Sequence, residues 1–201
     1  MAELVVPYRG SRGKTRLAGV GPERERLSLA MLADVVASCA AVGTTTVVTG
    51  DEDAASVATE LGARVVADPG GGQGPAVAAA LMQVEERPVL VVNSDVPAVT
   101  PRDLLALLGA MPAQGMALVE ARDGTTNALA LSAPHLFSSL YGPDSVRRFR
   151  RHAERLGIEL VAADIPHLVA DVDTPQDLAR LDGSLGPRTQ AALSAPAAVT
   201  P

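Results

Sequence analysis

The chain has 201 residues and a mass of 20.6 kDa, with 47% hydrophobic but only 2% aromatic residues and a formal net charge of −6. That length suits one domain of ordinary size, able to bury roughly 70% of the surface its unfolded form exposes without covalent staples. An acidic balance with two Tyr, two Phe and no Trp argues against a nucleic-acid binder, and no apolar run approaches the roughly 18 residues of a membrane span. The opening stretch MAELVVPYRGSRGK sets a short apolar run ahead of a basic cluster, the reverse of a secretory signal, so the cytoplasm is the expected compartment. Cys39 stands alone, which leaves no internal disulfide and no metal-ligand spacing.

Short β-branched runs alternate with longer helix-period runs. ELVVPY (3–8) reads as a strand, PERERLSLAMLADVVASCAAV (22–42) as an amphipathic helix and TTTVVTG (44–50) as a strand. A helix at 53–62, a strand at 63–68 and a helix at 74–86 follow. PVLVVNSD (88–95) is the most continuously apolar strand, the pattern of a parallel-sheet centre covered on both faces. TPRDLLALLGAM (100–111) begins with an N-cap Thr, Pro at N1 and an acid at N3, close to a capping box. This rhythm predicts an open, doubly wound α/β sheet.

The second half is less regular. MALVEAR (116–122) and NALALS (127–132) read as strands joined through the Asp123–Gly124 turn pair. Arg147 to Gly157 reads as a basic helix, IELVAAD (158–164) as a strand, and HLVADVD (167–173) as a lead into the helix TPQDLARLD (174–182). No internal repeat stands out. Residues 1–183 are expected to form one domain, and 184–201, rich in Ala, Pro and Ser without a sustained period, a disordered tail.

Four places carry potential chemistry. In RGSRGKTRLA (9–18) glycines would let backbone amides approach a phosphate, and Arg9, Arg12, Lys14 and Arg16 supply cations. Lys14 is the sole lysine beside 16 Arg, a compact point charge kept in a glycine loop. Gly13-Lys14-Thr15 matches the end of a P-loop, but Tyr8 stands where that motif needs its first glycine, and Gly19 and Gly21-Pro22 postpone the helix. A solvated basic loop is the plain alternative. Asp95 ends the most apolar strand at the sheet's carboxyl edge, where open α/β sheets bind ligands; it suits a hard divalent cation, or simply a turn.

Asp171 and Asp173 come third. Capping explains Thr174 and Asp177 but not these two, and residues two apart on a strand share a face, a costly pairing unless a cation or donors offset the charge. The fourth place joins GTTNAL (124–129) and YGPDSVRRFRR (141–151), where hydroxyls, an amide, a Gly-Pro turn and a helix start could hold a small anion. There Asp144 or Ser145 could equally be a plain helix cap, and the arginines a solvated face. The three histidines lack a Ser or Cys partner by spacing, so a hydrolase triad has no support.

VPYRGSRGKTRLA, VNSDVPAVTPRDL, RDGTTNALAL, YGPDS and DVDTPQDL, in this order and at these separations, resemble the CofC/FbiD family over about residues 3–182. The resemblance implies a guanylyltransferase that acts on 2-phospho-L-lactate or phosphoenolpyruvate in coenzyme F(420) biosynthesis. It implies a nucleotidyltransferase fold of the glycosyltransferase-A type, a Rossmann-like mixed sheet with helices on both faces. By the same resemblance Thr126, Gly142 and Ser145 bind the phosphorylated acid. Mg²⁺ sits on Asp95 with Asp171 or Asp173. Arg9, Lys14 and Arg16 meet the GTP phosphates, with Gly13 and Gly74 completing the nucleotide set. Lys14, Arg16 and Asp95 form the expected catalytic group. The chain departs from the family pattern in a shorter first loop with Arg9 in place of Lys, in GQGPAVAAAL (72–81) without the family's asparagine, and in Phe149 where a histidine is common.

Residues and resemblance converge on transfer of GMP from GTP to the acid's phosphate with release of pyrophosphate, the product passing to the next enzyme of the pathway; self-association is left open. A related transferase using another acceptor such as molybdopterin, a P-loop kinase or NTPase, and a non-catalytic nucleotide-binding module are the rivals. The Arg-heavy, Lys-poor, Ala-rich composition points to a GC-rich genome, and the resemblance, through family members from such genomes, implies phosphoenolpyruvate over 2-phospho-L-lactate.

Overall fold

Burial dictates the centre of the sheet. In the computed structural model, which describes residues 1–10, 22–181 and 183–195, strand β1 (Glu3–Pro7) is buried along its whole length. It lies between two parallel neighbours, β2 (Thr44–Thr49) and β4 (Val89–Val92), and β3 (Arg64–Ala67) extends the sheet in parallel beyond β2. Helices α1 (Pro22–Ala40), α2 (Glu52–Glu60) and α3 (Gln73–Leu81) make the crossovers that parallel strands require. The predicted α/β rhythm is therefore present, although α3 ends five residues before the expected Glu86, in the turns that precede β4.

Beyond β4 the direction changes. The order is β3-β2-β1-β4-β6-β5-β7, with β6 (Thr126–Leu131) antiparallel to both β4 and β5 (Gly115–Glu120), and β7 (Glu159–Ala162) parallel to β5. The sheet is thus mixed. The Asp123–Gly124 turn joins β5 to β6 as predicted: Gly124 takes φ +81°, and Thr125 donates its N–H to the Asp123 carboxylate at 3.0 Å. Helix α4 (Pro101–Ala110) precedes this pair, and α5 (Ser145–Leu156) follows it, two residues earlier than expected.

Alternation along the strands divides the core in two. Leu4, Val6, Leu90, Val92, Ala128 and Ala130 face α1, α2 and α4. Val5, Val89, Val91, Leu129 and Leu131 face α3 and α5, where Phe149 is the bulkiest fully buried side chain. Helices thus cover both faces, as a sheet apolar on both sides demands. The capping box of α4 forms as the sequence implies, with the Thr100 hydroxyl accepting from Asp103 N–H and the Asp103 carboxylate from Thr100 N–H. Thr174 and Asp177 repeat it at α7 (Pro175–Arg180).

Two elements depart from expectation. A short helix, α6 (Pro166–Val169), occupies the lead-in to α7. More consequential is α8 (Pro187–Ser194), within the stretch expected to be a disordered tail. Its start is capped from α1: the Asp34 carboxylate accepts from Arg188 N–H (3.1 Å), Thr189 N–H (2.8 Å) and the Thr189 hydroxyl (2.7 Å). A cap supplied from 155 positions away leaves no local signal, and small Ala side chains let the helix lie on α1 without a marked period. Among the described residues, no helix is long and apolar enough to cross a membrane.

Candidate active site

β1 and β4 end side by side, and beyond their carboxyl ends opens a cavity of about 360 Å³, bordered by Tyr8, Arg9, Ser28, Gln73, Asn93, Asp95 and Asp173. A second hollow of about 420 Å³ shares Arg9 and Gly10 with it and reaches Asp51 and Asp68, past the ends of β2 and β3. Together they offer an elongated ligand two adjoining compartments at the sheet edge.

Asp95 lies in the turn after β4, and Asp171 and Asp173 lie between α6 and α7. Each contributes one carboxylate oxygen to a group whose members lie within 4.8 Å of one another. The sequence had suggested strand geometry for 171–173, but no strand is present there. The two acids converge because Val172 turns inward to full burial, and its N–H donates to the Asp95 carbonyl at 2.9 Å. That backbone bond ties the two acid-bearing loops to each other.

The electrostatic consequence falls on Asp171. Burial, then the Asp95 charge, push its carboxyl up to about 6, against donation from the Asn127 amide, which favours the ionised form. Three hard oxygen donors crowded at these separations fit a divalent cation, since twice a metal–oxygen bond is about 4–5 Å.

Behind the acids runs an amide relay that sequence reasoning missed. Gln73 at the start of α3 donates to the Asn93 side-chain oxygen at 2.6 Å, and Asn93 donates to that of Asn127 at 3.2 Å. Asn127 in turn donates to the Val169 carbonyl at 3.3 Å. The relay therefore links α3, the end of β4, the start of β6 and the segment carrying Asp171. The available signal was positional: Asn93 directly follows the buried strand, and Asn127 follows Thr126. The Tyr8 and Ser28 hydroxyls, 3.0 Å apart at the cavity wall, were likewise unforeseen.

Thr126 and Ser145, far apart in sequence, meet in the structure. Their hydroxyls lie 2.8 Å apart, and both residues are buried, at 1% and 0% exposure. They do not border the 360 Å³ cavity; they stand one layer behind it, where Asn93 donates to the Thr126 carbonyl at 3.4 Å. Gly142, at φ +106°, turns the chain into α5, and its carbonyl accepts from Ser145 N–H. Arg148 fixes this turn by donating to the carbonyls of Tyr141 (2.9 Å) and Pro143 (2.8 Å). The Asp144 side chain makes no capping bond to α5.

Arg9 stands at the rim shared by both hollows. Gly13, Lys14 and Arg16 lie outside the described residues. Gly74 is buried, and packing explains its lack of a side chain: a Cβ there would meet the Ser139 Oγ and lie 2.8 Å from its Cβ. The histidines are engaged elsewhere, His135 with Glu86, His152 with the Leu136 carbonyl and His167 with Asp103.

A family model described as "Guanylyl transferase CofC like" matches residues 2–184. A phosphoenolpyruvate guanylyltransferase of Streptomyces scabiei is 39% identical over 206 residues, covering 94% of each chain. Another from Thermomonospora curvata is 40% identical over 200 residues, covering 94% of this chain and 86% of that one. Among solved structures, a chain from Desulfovibrio desulfuricans G20 described as a nucleotide-diphospho-sugar transferase superposes with a TM-score of 0.75 at 18% identity, over 96% of this chain and 93% of that one. A nucleotidyl transferase from Methanothermobacter thermautotrophicus gives a TM-score of 0.64 at 19% identity, over 90% and 95% of the two chains. At these identities the structural likeness speaks for the fold.

Proposed function

The chain belongs to the CofC-like guanylyl transferase family, and from that premise we propose that it joins GMP from GTP to the phosphate of phosphoenolpyruvate, with release of pyrophosphate, in coenzyme F(420) biosynthesis. The observation that carries this reading is the convergence of Asp95, Asp171 and Asp173 beside a cavity that also meets Arg9.

A phosphate monoester has its second pKa near ~6, so the acceptor is already nucleophilic at neutral pH. No general base is required, in keeping with three histidines occupied elsewhere. What remains for the protein is alignment of the two phosphates and neutralisation of charge. Asp95, with Asp171 and Asp173, would hold Mg²⁺, which when bound polarises the α-phosphoryl group. Arg9, Lys14 and Arg16 serve the triphosphate and the departing pyrophosphate, with Gly13 and Gly74, at the start of α3, on the nucleotide's side. Thr126, Gly142 and Ser145 order the acid's end of the site. The amide relay keeps that end in register with the carboxylates.

The test is pyrophosphate release by the purified protein with GTP and Mg²⁺, comparing phosphoenolpyruvate, 2-phospho-L-lactate and no acceptor. Release that depends on phosphoenolpyruvate is expected. A folded, GTP-binding protein that releases none with either acid would be a binding module or would use another acceptor.

The raised carboxyl of Asp171 gives a pH signature with a definite sign. Since its folded pKa of about 6 exceeds the ordinary value of 3.8, ionising it costs the metal-free protein stability as pH rises through that window. A divalent cation relieves the repulsion, so Mn²⁺ or Mg²⁺ should raise the melting temperature clearly at pH 7.5 and little at pH 5. Asp171→Asn should be more stable than wild type without metal at pH 7.5. Thermal melts at both pH values check this, and equal metal shifts would contradict it.

A further inference from the structure

The carboxylates stand on two loops, 93–98 and 170–173, neither of which belongs to a strand. Besides the backbone bond from Val172 to Asp95, packing beneath the two loops bears on their spacing. Ala98 of the first loop and Ala170 and Val172 of the second are buried in one cluster with Met31 of α1 and Leu178 of α7. Leu185, on the approach to α8, completes that cluster. The same approach bonds the first loop directly, Gly186 N–H donating to the Pro97 carbonyl at 2.8 Å, two residues from Asp95.

What holds this approach in place is the buried Asp34 on α1. Its carboxylate is only 3% exposed, and both its oxygens are taken up by the start of α8. The fit is close enough to require Gly186, where a Cβ would lie 2.3 Å from the Asp34 carboxyl carbon. At its far end α8 is tied by Arg26, which donates to the Ala192 carbonyl at 3.1 Å. These contacts join residues beyond the family match, which ends at 184, to the loop that carries Asp95.

We infer that residues 184–195 are a strap, latched by Asp34 and Thr189, that sets the spacing of the Asp95 and Asp171–Asp173 loops and thereby the affinity of the carboxylate group for a divalent cation. This rests on the metal reading proposed above. Thr189 is a positioning residue: its hydroxyl donates to Asp34, and it does not border the 360 Å³ cavity. Groups bonded directly to metal ligands commonly tune affinity by about 10–100-fold; Thr189 acts at a further remove, so its effect belongs at the low end of that range.

The experiment titrates Mn²⁺ into the full-length protein without nucleotide, following free Mn²⁺ by electron paramagnetic resonance. Wild type and Asp95→Asn come first. If wild type binds no Mn²⁺, or Asp95→Asn binds it equally well, the metal reading itself fails and the strap with it. With specific binding established, Thr189→Val is expected to weaken Mn²⁺ affinity about tenfold, and Thr189→Ser to restore it. A folded Thr189→Val protein with wild-type Mn²⁺ affinity, whatever its melting temperature, would reduce α8 to a stabilising element and overturn the proposal. Should that variant not fold, Arg26→Ala loosens the strap from its exposed end; a measurable loss of affinity supports the proposal, and an unchanged affinity overturns it.

Discussion

Asp95→Asn is expected to lower turnover by about a thousandfold, equivalent to roughly 4 kcal/mol of transition-state stabilisation, while the far-UV circular dichroism spectrum stays that of the wild type. The substitution is nearly isosteric and removes one negative charge from the group that Asp171 and Asp173 complete. It leaves the Asp95 carbonyl, which accepts from Val172 N–H, untouched. Folding should therefore survive, and the metal-free protein should gain stability near neutral pH, because Asp95 is one of the charges that oppose ionisation of Asp171. A fall in activity paired with an unchanged or raised melting temperature marks a ligand of the reaction centre; a loss of fold would mark a structural residue. Steady-state pyrophosphate release decides the matter, and activity within tenfold of wild type would remove Asp95 from the reaction.

The second large effect concerns stability. Phe149→Ala should cost about 3–5 kcal/mol, a large part of the roughly 5–15 kcal/mol that holds a domain folded. Phe149 is fully buried between α5 and the sheet and meets Tyr141 edge to face, with centroids 5.5 Å apart and planes at 76°. Tyr141 in turn packs against Phe137 and precedes Gly142. Removing the ring opens a cavity under the turn that leads to Ser145, so KM for the acid should rise in whatever fraction remains folded. Urea unfolding measures the first effect; a loss below about 1 kcal/mol would mean that the neighbouring side chains collapse into the space.

How far the sequence alone reaches depends on the range of the interaction. The capping boxes at Thr100 and Thr174 and the Asp123–Gly124 turn are closed by residues three or fewer apart, and all are legible. Asp95 was expected to end the most apolar strand; β4 stops at Val92, and Asp95 sits in the turn just beyond it, still at the carboxyl edge. Asp171 and Asp173 do come together, but not on the strand that was expected: the inward turn of Val172 brings them to one side. The α8 cap from Asp34, the pairing of β6 with β4 and the Gln73–Asn93–Asn127 relay all need partners 20 or more residues away, and nothing local announces them. Residues 11–21 lie outside the described residues, so the expectations for Gly13, Lys14 and Arg16 rest on the family resemblance.

The two ends of the sheet bear on how copies of this protein meet at high concentration. β3 and β7, the outermost strands, are four residues each and partly open to solvent, and they begin with Arg64 and Glu159. Short edges that carry charge are poor templates for another strand, so fibrous stacking through the sheet is disfavoured in crowded solution. For a lasting dimer the strand edges are thus a poorer meeting place than the helix-covered faces of the sheet.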